Sequence, residues 1–475
     1  MSVKKVLVRA VVAVALTAGG AAFGEGEQLK AGYDKTDITP PLGTPLAGYY
    51  HRRAANGILD PLHARCLALS DGKDAALVYM IDNLHLKDEV AEQVKREITR
   101  KTSVPAERIF LACTHTHTGP VCGVSVINAL PEDEETVRLA NAMLASRCAD
   151  CGVRALSDLA PSTARIGRGE AKGISFVRRY LMKDGTQRTN PRAGDPDVVG
   201  PIGKPDEQLQ LVRFVRENAK EIVLINFQTH PDVIGGSKFS ADWPGLACDV
   251  FEGAMGGAVS AMLINGAQGD TNHCQREWEP DEVKIFKGYE LSKHMARVVA
   301  GAALSVWAKC REVPTGRVRG KIEDVTVLAN KGKPEEFPEA ERIVALHKAG
   351  RANELKQTGM DRTTAIAGAY RILELKDKPD EIKIPVSVIT VGKTLAIGGF
   401  PGEPFTWMGL EMKRRSPFLM TVPSCCANGS RGYFPVESAY IPGGYENSTS
   451  RYAKGTAERL TDGIVKVMEG LHAAE

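Results

Sequence analysis

The chain has 475 residues, 43% hydrophobic and 25% charged, which excludes a disordered or low-complexity polymer and leaves room for a large buried core. It carries 61 basic and 58 acidic residues. Three of the basic ones, Lys4, Lys5 and Arg9, precede the uncharged run 10–24, and without them the charges balance, so nothing asks for nucleic acid or an anionic membrane surface.

That opening segment, 1–24, reads as a secretory signal: a basic start, an apolar stretch, and the small residues Ala22 and Gly24 for cleavage. The uncharged run is short for a membrane span, which needs about 20 residues. The expected location is secreted or periplasmic, with no span after cleavage. Export makes disulfides permissible among the ten cysteines, and some pairing is expected. Cys148 and Cys151 form a CxxC, but no second CxxC completes a zinc ribbon.

Residues 36–50, TDITPPLGTPLAGYY, are turn-rich and expected to cross the surface. Apolar runs then predict strands at 65–70, 75–81, 109–113, 221–227, 261–264, 386–391 and 394–398. Helical patterns fall at 87–100, 134–149, 244–252, 288–308 and 404–413, the last with Pro404 suited to a first turn. The alternation predicts an α/β fold, a mixed sheet flanked by helices. The charged segment 332–380 reads as a helical insertion packed on the sheet. Residues 25–475 read as one domain.

Polar clusters follow several of these strands, where α/β proteins place their sites. CTHTHTGP, Cys113 to Pro120, sets His115 and His117 two apart, so that a continued strand would put both rings on one face. His230 ends the run 223–230, and Asp270, Thr271, Asn272 and His273 end the run 260–273. Glu403 ends TLAIGGFPGE, and Tyr433, Tyr440 and Tyr445 lie in a Gly/Pro-rich loop. Histidines with a carboxylate are a familiar zinc set. Asp82 either orients a histidine or simply closes its strand.

These motifs resemble the N-terminal catalytic domain of the neutral/alkaline non-lysosomal ceramidases. CTHTHTGP fits the family's THTH-[ST]-G-P, and TDITPPLG…AGY resembles its start. The resemblance runs from about Lys30 to Arg459 and implies that the family's C-terminal β-sandwich is absent. It implies one zinc on His115, His230, Glu403 and Tyr433, the tyrosine chosen by the pattern Y-x6-Y-x4-Y-E that Tyr433, Tyr440, Tyr445 and Glu446 reproduce. His117 matches the second histidine of the motif and would act as general acid or base. Arg178, or Arg179 beside it, would stabilise the oxyanion.

One departure stands out. The family's nucleophilic serine falls at Asn272 in GDTNHC, with the Thr271 hydroxyl and the Cys274 thiol nearby. Because zinc brings the pKa of bound water to about 7, amide cleavage without serine is expected, with Asp270 or Asn272 orienting substrate or water. The implied activity is hydrolysis of N-acylsphingosine or a related N-acyl compound, lipid or small molecule. The alternatives are a soluble N-acyl sugar or peptide-like substrate, or a non-catalytic protein that binds zinc or a ligand.

Overall fold

A computed structural model describes residues 28–123, 129–274 and 288–475. The segment 1–24, read from the sequence as a signal, lies outside them. The main sheet has nine strands. Its order is Val259–Asn265, Glu221–Phe227, Gln208–Arg216, Ala160–Glu170, Lys30–Asp37, His63–Ser70, Ala75–Ile81 and Ile109–Cys113, with Arg311–Val313 added beside Ala160–Glu170. The outermost pair at each end is parallel and the pairs between are antiparallel, so the sheet is mixed, as predicted.

The reason for burial is legible in the strands. Val78 and Met80 enter one apolar cluster, while Leu77, Tyr79 and Ile81 enter another. Phe110 and Ala112 divide from Ile109, Leu111 and Cys113 in the same way. Alternate side chains point to opposite faces, and both faces are apolar, so the sheet needs cover on each side. Helices Asp88–Thr102 and Glu134–Ser157 supply one layer, and Asp242–Ala254 with Gly288–Trp307 supply the other. Asp88–Thr102 buries Val90, Ala91, Val94 and Ile98, the spacing of a single helical face, and ends at Ser103 with φ 62°.

The sheet curls until its two ends meet. Asn265 at one end donates through Nδ2 to the Thr114 carbonyl just past the other, at 3.1 Å. A second sheet, Val318–Leu328, Glu381–Val391, Leu395–Gly399 and Met420–Ser424, joins at this seam. The segment after Met420–Ser424 doubles back on Ile109–Cys113. Leu111 N donates to Asn428 Oδ1 and Cys113 N to the Cys426 carbonyl. Three strand ends that are remote in sequence thereby release their loops at one place.

Residues 332–380 are an insertion, between two strands that pair residue for residue from Val318↔Val391 to Leu328↔Glu381. Its helices Phe337–Lys348 and Gly359–Leu375 form their own small apolar cluster, which takes in Tyr50. They pack over the strand-end loops rather than on the sheet: His347 contacts the Tyr50 carbonyl, and Arg371 donates to the Ser448 carbonyl.

The expectation of disulfides is corrected. All ten cysteines are free, and eight are buried. Cys66, Cys113, Cys148, Cys151, Cys425 and Cys426 lie in one apolar cluster, where thiols serve as small core side chains. Of the two readings of Asp82, the structure has the strand-end one: it follows Ala75–Ile81 and pairs with the fully buried Arg65 at 3.0 Å. Among the described residues, no helix is long and apolar enough to cross a membrane.

Candidate metal centre

His115 and His117 do come together, with ring centroids 5.2 Å apart, but not by strand alternation. The strand stops at Cys113, and His115 has φ 71°, a left-handed conformation that costs a non-glycine residue about 1–2 kcal/mol. The kink is held by His115 N donating to the Asn83 carbonyl at 2.9 Å. Such strain clusters at functional sites. His117 N donates to the Pro231 carbonyl, which ties this loop to that of His230.

Three buried side-chain atoms then converge. His115 Nε2 lies 3.2 Å from His230 Nε2 and 3.3 Å from Glu403 Oε2, and His230 Nε2 lies 3.7 Å from Glu403 Oε2. Donors at the ~2.0–2.1 Å bond lengths of tetrahedral zinc stand about 3.3–3.4 Å apart. Glu403 arrives with a neighbour already in register: Glu403–Pro404 pairs in parallel with Tyr433–Phe434, Glu403 opposite Tyr433. Pro404 therefore does not open the helix, which runs Thr406–Arg415.

Electrostatics fit a site built for positive charge. Burial alone would raise the Glu403 carboxyl, but His115, His230 and Arg178 hold it below the usual carboxylate range. Burial opposes a proton on His115, yet Glu403 outweighs it and raises the ring. Burial and the neighbouring His115 push His117 down to about 3. Burial, then Arg178, holds His230 well below its ordinary value. Burial and Glu403 push the Tyr433 phenol well up.

Unsatisfied atoms mark the same point. His117 has no hydrogen bond on either ring nitrogen, and Glu403 Oε2 is buried without one. Buried polar atoms are rarely left so, and an ion or water would satisfy these. His115 Nδ1 donates to the Leu84 carbonyl at 2.8 Å, which leaves its Nε2 lone pair facing inward, the tautomer a metal needs. His115, His117 and His230 offer ligand atoms within 4.8 Å of one another. His230 Nδ1 instead faces Arg178 Nη1 at 3.3 Å. A guanidinium only donates, so the His230 proton sits on Nε2 and must leave when a metal binds there. The donor set fits zinc.

Of the two adjacent arginines, Arg178 belongs to the site. Its Nε donates to Glu446 at 2.6 Å and its Nη2 to the Gly269 carbonyl, while Arg179 turns away to Gln187. Asp270 and Asn272 stand behind the wall. Asp270 Oδ1 accepts from Thr406 N and Oγ1, and its carbonyl accepts from Arg178 N. Asn272 is fully buried and donates to Asn190 Oδ1. Thr271 is fully buried too, its hydroxyl donating to the Gln268 carbonyl.

Sequence reasoning missed two contributors. Glu446 is fully buried and bridges Arg178 and Thr189; its place at the end of the tyrosine pattern was the available signal. Asp232, two residues after His230, faces His273. Two cavities, about 890 and 670 Å³, meet at His117, Tyr433, Tyr445 and Tyr50 beneath the insertion.

The fold and the site together define an α/β protein with a buried imidazole–carboxylate centre able to hold a metal ion. That fold is the one found in neutral ceramidases. The neutral ceramidase from Pseudomonas aeruginosa superposes with a TM-score of 0.71 at 17% identity, over 94% of this chain and 75% of that one. A ceramidase complexed with C2 gives 0.70 at 15%, over 94% and 76%. By sequence, no family model matches, and no curated protein does.

Proposed function

We propose that the chain is a zinc-dependent amidohydrolase of the neutral ceramidase family that cleaves an N-acyl bond. The observation that carries this reading is the convergence of His115, His230 and Glu403 at 3.2 to 3.7 Å, with Tyr433 in register beside Glu403. Bound by these four, zinc would acidify a water and polarise the acyl carbonyl.

The chain's own groups do the rest. His117, with no hydrogen-bond partner on either ring nitrogen, would take a proton from water and pass it to the leaving amine. Arg178, fixed by Glu446 and Gly269, offers positive charge to the developing oxyanion. Asp270 and Asn272 position the backbone at Arg178 and the cavity-lining Asn190. The insertion supplies part of the wall of both cavities, through Ala367 and Tyr370 in one and Ile366 and Tyr370 in the other.

Ceramide or a related lipid amide is the first substrate class. A soluble N-acyl compound is the second, favoured by Lys87, Arg371, Glu374 and Arg451 in the wall of the 890 Å³ cavity. Secretion or export to the periplasm accords with the 1–24 segment. Assaying N-acylsphingosine and N-acetylated sugars or peptides side by side, with and without a chelator, tests the proposal. Chelator-sensitive release of amine from either class supports it and assigns the substrate. Activity untouched by chelation contradicts it, and metal binding with no turnover of either class would mark a binding protein.

A further inference from the structure

Beside the metal centre, and sharing Asp232 with its surroundings, one cluster sets a thiol, an imidazole and a carboxylate in line. Cys274 Sγ lies 3.5 Å from His273 Nε2, and His273 Nδ1 lies 3.1 Å from Asp232 Oδ1. The two contacts engage opposite nitrogens of one ring. A chelate would bring its donors to a single point; this array instead passes a proton along a line from thiol to base, with an acid fixing the base.

Cys274 differs from the other cysteines. Eight are buried, and the other half-exposed one, Cys310, rests on the Val306 carbonyl with no imidazole beside it. The backbone at Cys274 is pinned on its N-terminal side: Cys274 N donates to Asn272 Oδ1, and Asn272 Nδ2 donates to Asn190 Oδ1, both at 3.0 Å. His273 and Asp232 are each partly open to solvent, at 17% and 22% of their side chains. A nucleophile within reach of its base, and a base within reach of its orienting acid, are the parts that activate a thiol.

We propose that Cys274, His273 and Asp232 form a nucleophilic thiol centre that accepts acyl groups from small esters or activated amides. Sγ adds to the acyl carbon while its proton passes to His273 Nε2. The C–O or C–N bond breaks, and that proton leaves with the alkoxide or amine. Water then adds to the thioester, giving its proton to His273; the C–S bond breaks, the thiol is restored and the acid is released. Asp232 accepts from Nδ1–H throughout and so keeps Nε2 free to take the proton. No step of this centre uses the metal, so the two can fail separately.

The test uses the full chain in the presence of a chelator, with p-nitrophenyl acetate as the acyl donor. Wild type should give a burst of nitrophenolate and an acetyl group that peptide mass spectrometry places on Cys274 and not on Cys310. Cys274→Ala should give no burst, and His273→Gln should slow it about 100-fold. An unchanged burst in His273→Gln, or acetyl absent from Cys274, would overturn the proposal. Acetylation of Cys310 at the same rate would do so too. If Cys274→Ala does not fold, the ratio of acetyl on Cys274 to Cys310 in the wild-type digest decides.

Discussion

His115 shows what a local pattern can and cannot reveal. The pair THTH marks two imidazoles at the end of an apolar strand, but strand periodicity gives the wrong route to their meeting, because φ 71° at His115 turns the chain. Nothing in a histidine predicts a left-handed backbone; the Asn83 carbonyl and the loop of His230 impose it. His230 and Glu403 were legible as polar residues that close apolar stretches, whereas Tyr433 was legible only through the tyrosine pattern shared with the family it resembles. Glu446 was not, because its partner Arg178 lies 268 positions away. Removing one member of such a buried pair leaves the other charge uncompensated, at a cost of about 3–5 kcal/mol. Glu446→Ala should lose that much in urea denaturation, and a loss below 1 kcal/mol would show that Arg178 finds another partner. His63 gives a test in pH. Burial, then Arg65 and Lys35, pushes it down from 6.5 to about 4. The unfolded chain therefore takes up this proton first, so the stability tied to neutral His63 is intact above pH 6.5 and lost as pH falls toward 4. Wild type should lose Tm over that range more steeply than His63→Asn; equal slopes would contradict the shift.

At the scale of elements, strands at 75–81, 109–113 and 221–227 coincide with the predicted bounds, because each is a largely apolar run that is almost wholly buried. Ala160–Glu170 and Val318–Leu328 went unpredicted. APSTARIGRGE has no apolar run or alternation, and VRGKIEDVTVL is largely solvent-facing, so pairing with neighbours rather than composition makes them strands. The helical insertion was legible from its charge and helix pattern, but its seat over the site was not, since that depends on Tyr50 and His347 meeting. One junction between elements is open to test. A Cβ at Gly269 would stand 2.5 Å from the Glu403 carbonyl oxygen, which is backbone and cannot swing aside. Gly269→Ala should displace the Glu403–Tyr433 pair and weaken zinc affinity by about 10-fold or more, although it removes no ligand. Competition with a chromophoric chelator measures it, and wild-type affinity would mean that the junction yields.

For the whole molecule, the donor set ties together loops that leave both sheets: His115 and His230 from the curled main sheet, Glu403 and Tyr433 from the second. The α/β class was legible in the alternation of elements. The closure of the sheet at Asn265 and Thr114 was not, because no local pattern encodes how far a sheet curls. Metal bound only by the folded chain stabilises it by mass action, about 2.7 kcal/mol at 100 times Kd. Tm should rise accordingly when zinc is added to the metal-free protein, and should not move in Glu403→Ala. A calorimetric scan with no shift in wild type would mean that zinc does not bridge these loops. The most direct measurement is metal content, by mass spectrometry of the purified chain reconstituted with zinc, wild type beside His115→Ala. One tightly held zinc per wild-type chain, absent from His115→Ala, is the result predicted by the convergence of His115, His230 and Glu403. Wild type without zinc, or the variant with as much, would contradict it.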